Sequence, residues 1–275
     1  MTYGAGKHRE VVRQQFGKQA ARFDQYLSCL ESQDVVAWIS SNLELAPHFS
    51  VLDVATGTGF LARSIAPQVH RVVGLDATPE MLREGVRLAK VDGIQNVVFE
   101  EGDAERLPYH DNSFDLVTCR IGMHHFQRPH SAAQEMFRVC RTGGHVAIID
   151  ITSVEDPELA AAHNRLERLR DPSHTRALTA GELKEIAEEC RLEVVRTSAA
   201  DVELNVGRWM DLTGTGPEER RVIRQALEQE LRGGTSTGMR PFRSNGKVLF
   251  SHSWVILVGR KNSTGRTWPH GNERA

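Results

Sequence analysis

The chain has 275 residues, of which 40% are hydrophobic and 25% charged, a composition that excludes a largely disordered chain. Lysine and arginine total 34 against 36 acidic residues, a formal net charge of −2. No global basic field therefore draws the protein to nucleic acid or to anionic lipid, and we expect a small-molecule substrate.

The cysteines and the apolar runs indicate the compartment. Cys29, Cys119, Cys140 and Cys190 are scattered without CxxC spacing, and no signal peptide precedes them, so we expect reduced cytoplasmic thiols and no metal site. The longest apolar runs fall far short of the roughly 20 residues of a membrane helix. We expect a soluble protein without membrane insertion, and leave its oligomeric state open, a homodimer included.

Two helical patterns come first and predict an N-terminal helical lid over residues 1–45. The clearer pattern opens at Ser32 and carries apolar residues at helical spacing. Four aromatic residues of this region are candidates to fold over a ligand, with ordinary packing as the alternative for each: Tyr3, Phe16, Phe23 and Tyr26.

From residue 50 onward, short apolar strands alternate with amphipathic helices. The predicted strands are SVLDV, RVVGLD, NVVFEEGD, SFDLVTCR and GGHVAIIDI. A helix after the second strand begins with Thr78 as N-cap and Pro79 at its first position. This βαβ rhythm predicts a parallel sheet with helices on both faces.

After Ile151 the rhythm ends, and helical insertions are predicted at about 153–178 and 205–240. Thr179 and Glu182 form a capping-box pattern. The strands RLEVVRTS and KVLFSHSWVILVGR complete the sheet, and residues 261–275 read as a flexible tail. The prediction is an α/β fold: a doubly wound, mostly parallel, seven-stranded sheet in a domain spanning 46–260, with a helical lid.

The stretch VLDVATGTGFLARSIA contains a glycine turn that fits two kinds of nucleotide. Gly57 and Gly59 satisfy the dinucleotide pattern GxGxxG/A, and Asp76 stands 19 residues after Gly57, where an acid would accept ribose hydroxyls. Asp53 favours the other nucleotide, because an acid at the end of the first strand repels a pyrophosphate. It would complement the ammonium and sulfonium of S-adenosylmethionine, directly or by ordering the loop.

Four segments in order, VLDVATGTG, VVGLDATPEML, EEGDAERLPYHDNSFDLVTC and RTGGHVAIIDI, resemble the motifs of class I S-adenosylmethionine-dependent methyltransferases. The resemblance is strongest to the small-molecule subgroup that includes the ubiquinone and menaquinone C-methyltransferases. It covers about residues 50–152 closely and 11–198 loosely. One departure is Ala55, where many relatives carry the first glycine of the turn.

The resemblance implies S-adenosylmethionine as the cofactor and a role for each matching position. Asp53, Ala55, Thr56, Gly57 and Gly59 would line the methionine side. The adenosine would be held by residues that follow the second, third and fourth strands: Asp76 at the ribose, Ala77 and Met81 beside the adenine, Gly102, Asp103 and Ala104 at its edge, and Arg120 at the floor.

Candidates for chemistry and for acceptor binding lie outside these motifs. His124 and His125 follow the fourth strand, where an imidazole is suited to act as a general base, although packing is the alternative for both. Candidate substrate contacts are Tyr26, Arg170, His174 and Trp209.

The leading hypothesis is a methyltransferase acting on a small, aromatic or apolar metabolite such as a quinone or a polyketide. One alternative keeps the cofactor cavity for other chemistry, such as a cyclisation, because fold does not fix function. A second alternative is a nicotinamide-dependent oxidoreductase, which Asp53 and Asp103 disfavour.

Overall fold

The computed structural model describes residues 3–23 and 33–262. The helices are α1 (Tyr3–Gln19), α2 (Gln33–Asn42), α3 (Phe60–Ile65), α4 (Pro79–Val91), α5 (Pro129–Val139), α6 (Pro157–Arg170), α7 (Ala180–Glu189), α8 (Val206–Leu212) and α9 (Pro217–Leu231). The strands are β1 (Ser50–Val54), β2 (Arg71–Asp76), β3 (Val97–Glu101), β4 (Phe114–Arg120), β5 (Cys140–Ile151), β6 (Leu192–Asn205), β7 (Pro241–Ser244) and β8 (Lys247–Lys261).

Seven strands form one sheet in the order β3-β2-β1-β4-β5-β8-β6. The first five run parallel, and β8 is antiparallel to both β5 and β6. The predicted α/β fold with a mostly parallel seven-stranded sheet is confirmed. The chain order reverses between β1 and β4, and ligands of open α/β sheets bind at the carboxyl ends of the strands at such a point.

An additional short strand, β7, pairs with the start of β8 and was not predicted. Asn245 and Gly246 connect the two strands with φ angles of 48° and 71°. This is the Asn-Gly hairpin turn, whose left-handed backbone matches the twist of antiparallel strands. On the other edge of β8, the β6–β8 ladder carries β6 past its predicted end at Ser198 to Asn205, which pairs with Leu249.

Two hydrophobic clusters enclose the sheet, so helices cover both faces as predicted. One cluster joins the sheet to α2, α3, α6, α8 and α9, and the other joins it to α5 and α7. Within the described residues, no helix is long and apolar enough to cross a membrane. Cys119, Cys140 and Cys190 are buried free thiols.

The turn between β1 and α3 is fitted closely against its neighbours. Gly59 has a φ of 78°, and a Cβ there would lie 2.5 Å from the ring of Phe99 on β3. A Cβ on Gly85 of α4 would lie 2.6 Å from the same ring. Because glycines lie on two sides of the ring, it cannot easily move aside for an added methyl group.

We predict that Gly59→Ala lowers the free energy of unfolding by more than Gly143→Ala, measured by urea denaturation. Gly143 has a φ of 80° with nothing within 4 Å of a Cβ, so it reports backbone strain alone, about 1–2 kcal/mol. Gly59→Ala adds overpacking against Phe99, about 1–3 kcal/mol more. Equal losses in the two variants would contradict the packing described for Phe99.

Candidate active site

A cavity of about 380 Å³ opens at the carboxyl ends of β1, β2 and β4. Its walls come from the turns after these strands, from one face of α1, and from β6, α8 and β8. The volume is within the range of small-molecule sites. The site therefore lies where the reversal of strand order leaves a crevice.

The turn after β1 brings backbone amides toward the carboxylate of Asp76. Ala55, Gly57 and Gly59 all have left-handed φ angles, of 56°, 58° and 78°. The amide of Gly57 donates to Oδ2 of Asp76 at 2.9 Å, and that of Thr78 donates to Oδ1 at 2.8 Å. Burial raises the pKa of Asp76. Each oxygen can still accept a further hydrogen bond, as vicinal hydroxyls would donate.

Asp53 lies behind this turn and supports it. Its carboxylate accepts hydrogen bonds from the hydroxyls of Thr56 at 2.6 Å and Thr118 at 2.7 Å. Burial raises the pKa of Asp53 to about 6, against the lowering effect of these hydrogen bonds. Asp53 does not line the cavity, so it ties the β1 turn to β4 rather than facing a ligand.

The loop after β4 is strained where it meets the cavity. Ile121 has a φ of 54°, an outlier for a β-branched residue. A Cβ on Gly122 would lie 2.9 Å from that of Ala55, so the loops after β1 and β4 touch. The Arg120 guanidinium lies 4.5 Å from the ring centre of Phe60 and 5.6 Å from that of Trp254. Such backbone strain tends to occur at functional sites.

His124 is paired with a buried carboxylate that the sequence analysis did not single out. Its Nδ1 lies 2.5 Å from Oδ1 of Asp150, at the end of β5. Oδ2 of Asp150 accepts the amide of Met123 at 2.7 Å. An ionised carboxylate only accepts hydrogen bonds, so Nδ1 of His124 carries a hydrogen, and in the neutral ring Nε2 is the nitrogen with the free lone pair.

His125 has a different environment, although its ring centre lies only 4.2 Å from that of His124. Its Nδ1 donates to the carbonyl oxygen of Ser173 at 3.0 Å. Burial, reinforced by His124, lowers the pKa of His125 to about 4. The ring is therefore neutral at neutral pH. Both histidines line the cavity.

Helix α1 crosses the cavity and contacts both the cofactor-side acids and the histidine loop. His8 Nε2 donates to the carbonyl oxygen of His125 at 2.9 Å, and the ring of Phe16 meets that of His125 edge-on at 4.9 Å. Arg9 forms an ion pair with Asp103. Phe16 therefore lines the cavity beside His125.

The opposite wall carries the apolar side chains of the site. Trp209, Leu212, Leu249 and Trp254 line it, together with the polar residues Glu203, Asn205, Arg208 and His252. The guanidinium of Arg170 lies 5.2 Å from the ring centre of Trp209, and its Nη1 is 3.1 Å from Oε2 of the buried Glu167. Trp209 is 5% exposed, so it serves both the core and the cavity wall.

The structure brings most of the residues singled out in the sequence to this cavity. Those that line it are Ala55, Thr56, Gly57, Asp76, Ala77, Gly102, Asp103, Ala104, Arg120, His124, His125, Arg170 and Trp209. Asp53, Gly59, Met81 and His174 lie behind the lining. His174 is buried, with Nε2 at 2.8 Å from Oδ1 of Asn164. Tyr26 is outside the described residues.

Comparison with known proteins agrees with this architecture. The family model described as "Methyltransferase domain" matches residues 51–144. The chain is 30% identical to the uncharacterized methyltransferase YcgJ of Bacillus subtilis strain 168, over 90% of this chain and 97% of that protein. It is 34% identical to a ubiquinone/menaquinone biosynthesis C-methyltransferase of Bdellovibrio bacteriovorus, over 56% of this chain and 68% of that protein.

The fold comparison gives the same relationship. A crystal structure of YcgJ from Bacillus subtilis superposes with a TM-score of 0.75 and 29% identity, covering 84% of this chain and 99% of that one. The match therefore covers most of the chain rather than the glycine turn alone. The oxidoreductase alternative receives no support from these relatives. The chain belongs to the class I S-adenosylmethionine-dependent methyltransferases.

Proposed function

We propose that this chain methylates a small aromatic or apolar metabolite, such as a quinone, a polyketide or a related natural product. The observation that carries the proposal is that one cavity combines a polar end with an apolar end. Asp76 and Asp103 lie at the polar end, and Trp209, Leu212 and Trp254 at the apolar end. The aromatic and aliphatic side chains of that second end would pack against the apolar part of an acceptor.

The polar end fits an adenosyl group. Asp76 retains lone pairs for the ribose hydroxyls, and Ala77 and Ala104 would flank the adenine. Asp103 also forms an ion pair with Arg9. Because a carboxylate has several acceptor positions, Asp103 can hold Arg9 and accept a hydrogen bond from the edge of the adenine at the same time. The left-handed turn at Gly57 lets backbone amides approach the methionine part, and among the described residues only the ring of Phe23 lies within 4 Å of a Cβ there.

When bound, S-adenosylmethionine supplies a methyl group on a positively charged sulfur. The protein's own contribution is to hold the acceptor in line and to exclude water, which can supply roughly 7–11 kcal/mol. The apolar wall orients the acceptor, and α1 with Phe16 covers the opening. The acceptor's fit against Trp209 would therefore govern the rate more than any single acid or base.

His124 is the proposed general base for an acceptor that must lose a proton. Asp150 holds its ring through Nδ1 and stabilises the cation that forms, so Nε2 can take a proton from a hydroxyl or an acidic carbon. His125 lacks such a carboxylate partner on its ring, and burial disfavours its charged form. Asp150 is accordingly a positioning residue, and His125 a wall of the site.

The proposal is tested by incubating the protein with S-adenosylmethionine and a panel of quinones, phenols and polyketides. Formation of S-adenosylhomocysteine with an equal amount of an acceptor heavier by one methyl group is expected for apolar members. Charged analogues of the same rings form the matched comparison. Preference for the charged analogues would contradict the acceptor class. An acceptor that is converted without gaining mass would favour cyclisation chemistry.

We predict that Asp76→Ala weakens S-adenosylhomocysteine binding by about 1.5–3 kcal/mol, the value of hydrogen bonds to a charged group, or roughly 10- to 150-fold in Kd. Isothermal titration measures it. Glu185→Ala, which removes an exposed acid of α7, is the control and should leave Kd unchanged. An unaltered Kd for Asp76→Ala would mean that the ribose lies elsewhere.

We predict that His124→Asn lowers kcat by about 10²- to 10⁴-fold with an acceptor that must be deprotonated. Asparagine can still donate to Asp150 but has no second ring nitrogen to take the proton. His125→Asn, which can likewise keep its bond to Ser173, should lose much less. Steady-state kinetics separates the two variants, provided that both bind the cofactor with the same affinity. A larger loss of kcat for His125→Asn would make His125 the general base instead of His124.

A further inference from the structure

Three buried side chains of metal-ligand type meet beside the active-site cavity. His163 and Glu167 stand four residues apart on α6, and His252 faces them from β8. Their exposed fractions are 3%, 0% and 5%. The proposed methyl transfer assigns no role to these three side chains, although His252 also lines the cavity. We refer to the three residues as the His-Glu-His cluster.

The polar atoms of the cluster converge at ion-pair distance, but without well-aligned hydrogen bonds. His252 Nε2 lies 3.2 Å and His163 Nε2 3.7 Å from Oε1 of Glu167. One ligand atom from each of the three residues lies within 4.8 Å of the other two. Yet both ring nitrogens of each histidine, and Oε1 of Glu167, are buried without a hydrogen-bond partner in the described part of the chain. Leaving such groups unsatisfied costs about 1–3 kcal/mol each.

The second oxygen of Glu167 has a partner of its own. Nη1 of Arg170 lies 3.1 Å from Oε2, and Arg170 Nε donates to the carbonyl oxygen of Trp209 at 3.3 Å. Arg170 therefore fixes the carboxylate with Oε1 turned toward the two imidazoles. Outer partners of this kind orient the ligands of metal sites.

We propose that His163, Glu167 and His252 bind a divalent transition-metal ion, with Zn²⁺ as the ion that fits best. Two imidazoles and one carboxylate suit Zn²⁺ or Fe²⁺ and are unlike the all-oxygen shells of Mg²⁺ and Ca²⁺. Tetrahedral Zn²⁺ with bonds of about 2.0–2.1 Å needs ligand atoms about 3.4 Å apart. The distances of 3.2 and 3.7 Å are close to that value.

The ion would stand at the wall of the cavity, because His252 belongs to both the cluster and the lining. Three protein ligands leave a fourth position for water or for an oxygen atom of a bound molecule. An acceptor with a carbonyl or hydroxyl oxygen could occupy it. This proposal departs from the sequence expectation of no metal site, which rested on cysteine spacing alone.

The test strips the full chain with a chelator and titrates it with Co²⁺, whose visible absorption reports the ligand geometry. We expect one ion per chain, with the absorption of a four- or five-coordinate site, and displacement by Zn²⁺. Glu167→Gln and His252→Ala should abolish stoichiometric binding. His145→Asn is the matched control, a largely buried histidine outside the cluster, and should bind as the wild type does.

Two outcomes overturn the proposal: no stoichiometric Co²⁺ binding by the wild-type chain, or binding that survives both cluster substitutions. If the variants fail to fold, X-ray absorption at the zinc edge of the reconstituted wild type decides, since nitrogen and oxygen ligands are expected and a sulfur shell would refute the site. Metal binding is measured without cofactor or acceptor. Its failure would leave the proposed methyl transfer standing.

Discussion

The buried carboxylate of Asp53 is the constraint on which the cavity depends. It accepts one hydroxyl from the turn after β1 and one from β4, and so fixes two strands at the point where the chain order reverses. The left-handed backbone of Ala55 and Ile121 can persist because these bonds and the surrounding packing hold the loops in place. If this carboxylate were lost, the turn would be free to relax, and Asp76 would lose the amide that faces it.

The same arrangement, a carboxylate that accepts hydrogen bonds from a neighbouring loop, recurs along the edge of the sheet. Asp53, Asp76 and Asp150 end or nearly end β1, β2 and β5, and each accepts hydrogen bonds from the loop beside it. Parallel strands deliver their ends to one edge, so three acids distant in sequence organise one site. Their carboxylates hold the loops of the protein in place, and these loops in turn shape the site for a ligand. This explains why Asp53 matters although it does not touch the cavity.

Local sequence patterns predict most of the fold. The burial of the strands, the helix cap at Thr179 and the alternation of strands and helices each depend on residues that are neighbours in sequence. The β7–β8 hairpin is also readable locally, because Asn245 and Gly246 form an Asn-Gly pair of the kind that favours a tight turn between two strands. Other features could not be read locally. The partner of His124 comes from β5, and the His-Glu-His cluster unites α6 with β8, contacts that exist only after the sheet has formed. The one sign of this cluster within a short stretch of sequence is the four-residue spacing of His163 and Glu167.

The contacts of α1 make one part of the site sensitive to salt. This helix lines the cavity through His8, Arg9 and Phe16, and Arg9 forms an ion pair with Asp103. The pair is partly exposed, and such pairs are weak and screened by salt. Ionic strength therefore acts on the hold of α1 on Asp103, whereas the buried hydrogen bonds of Asp53 are shielded from it.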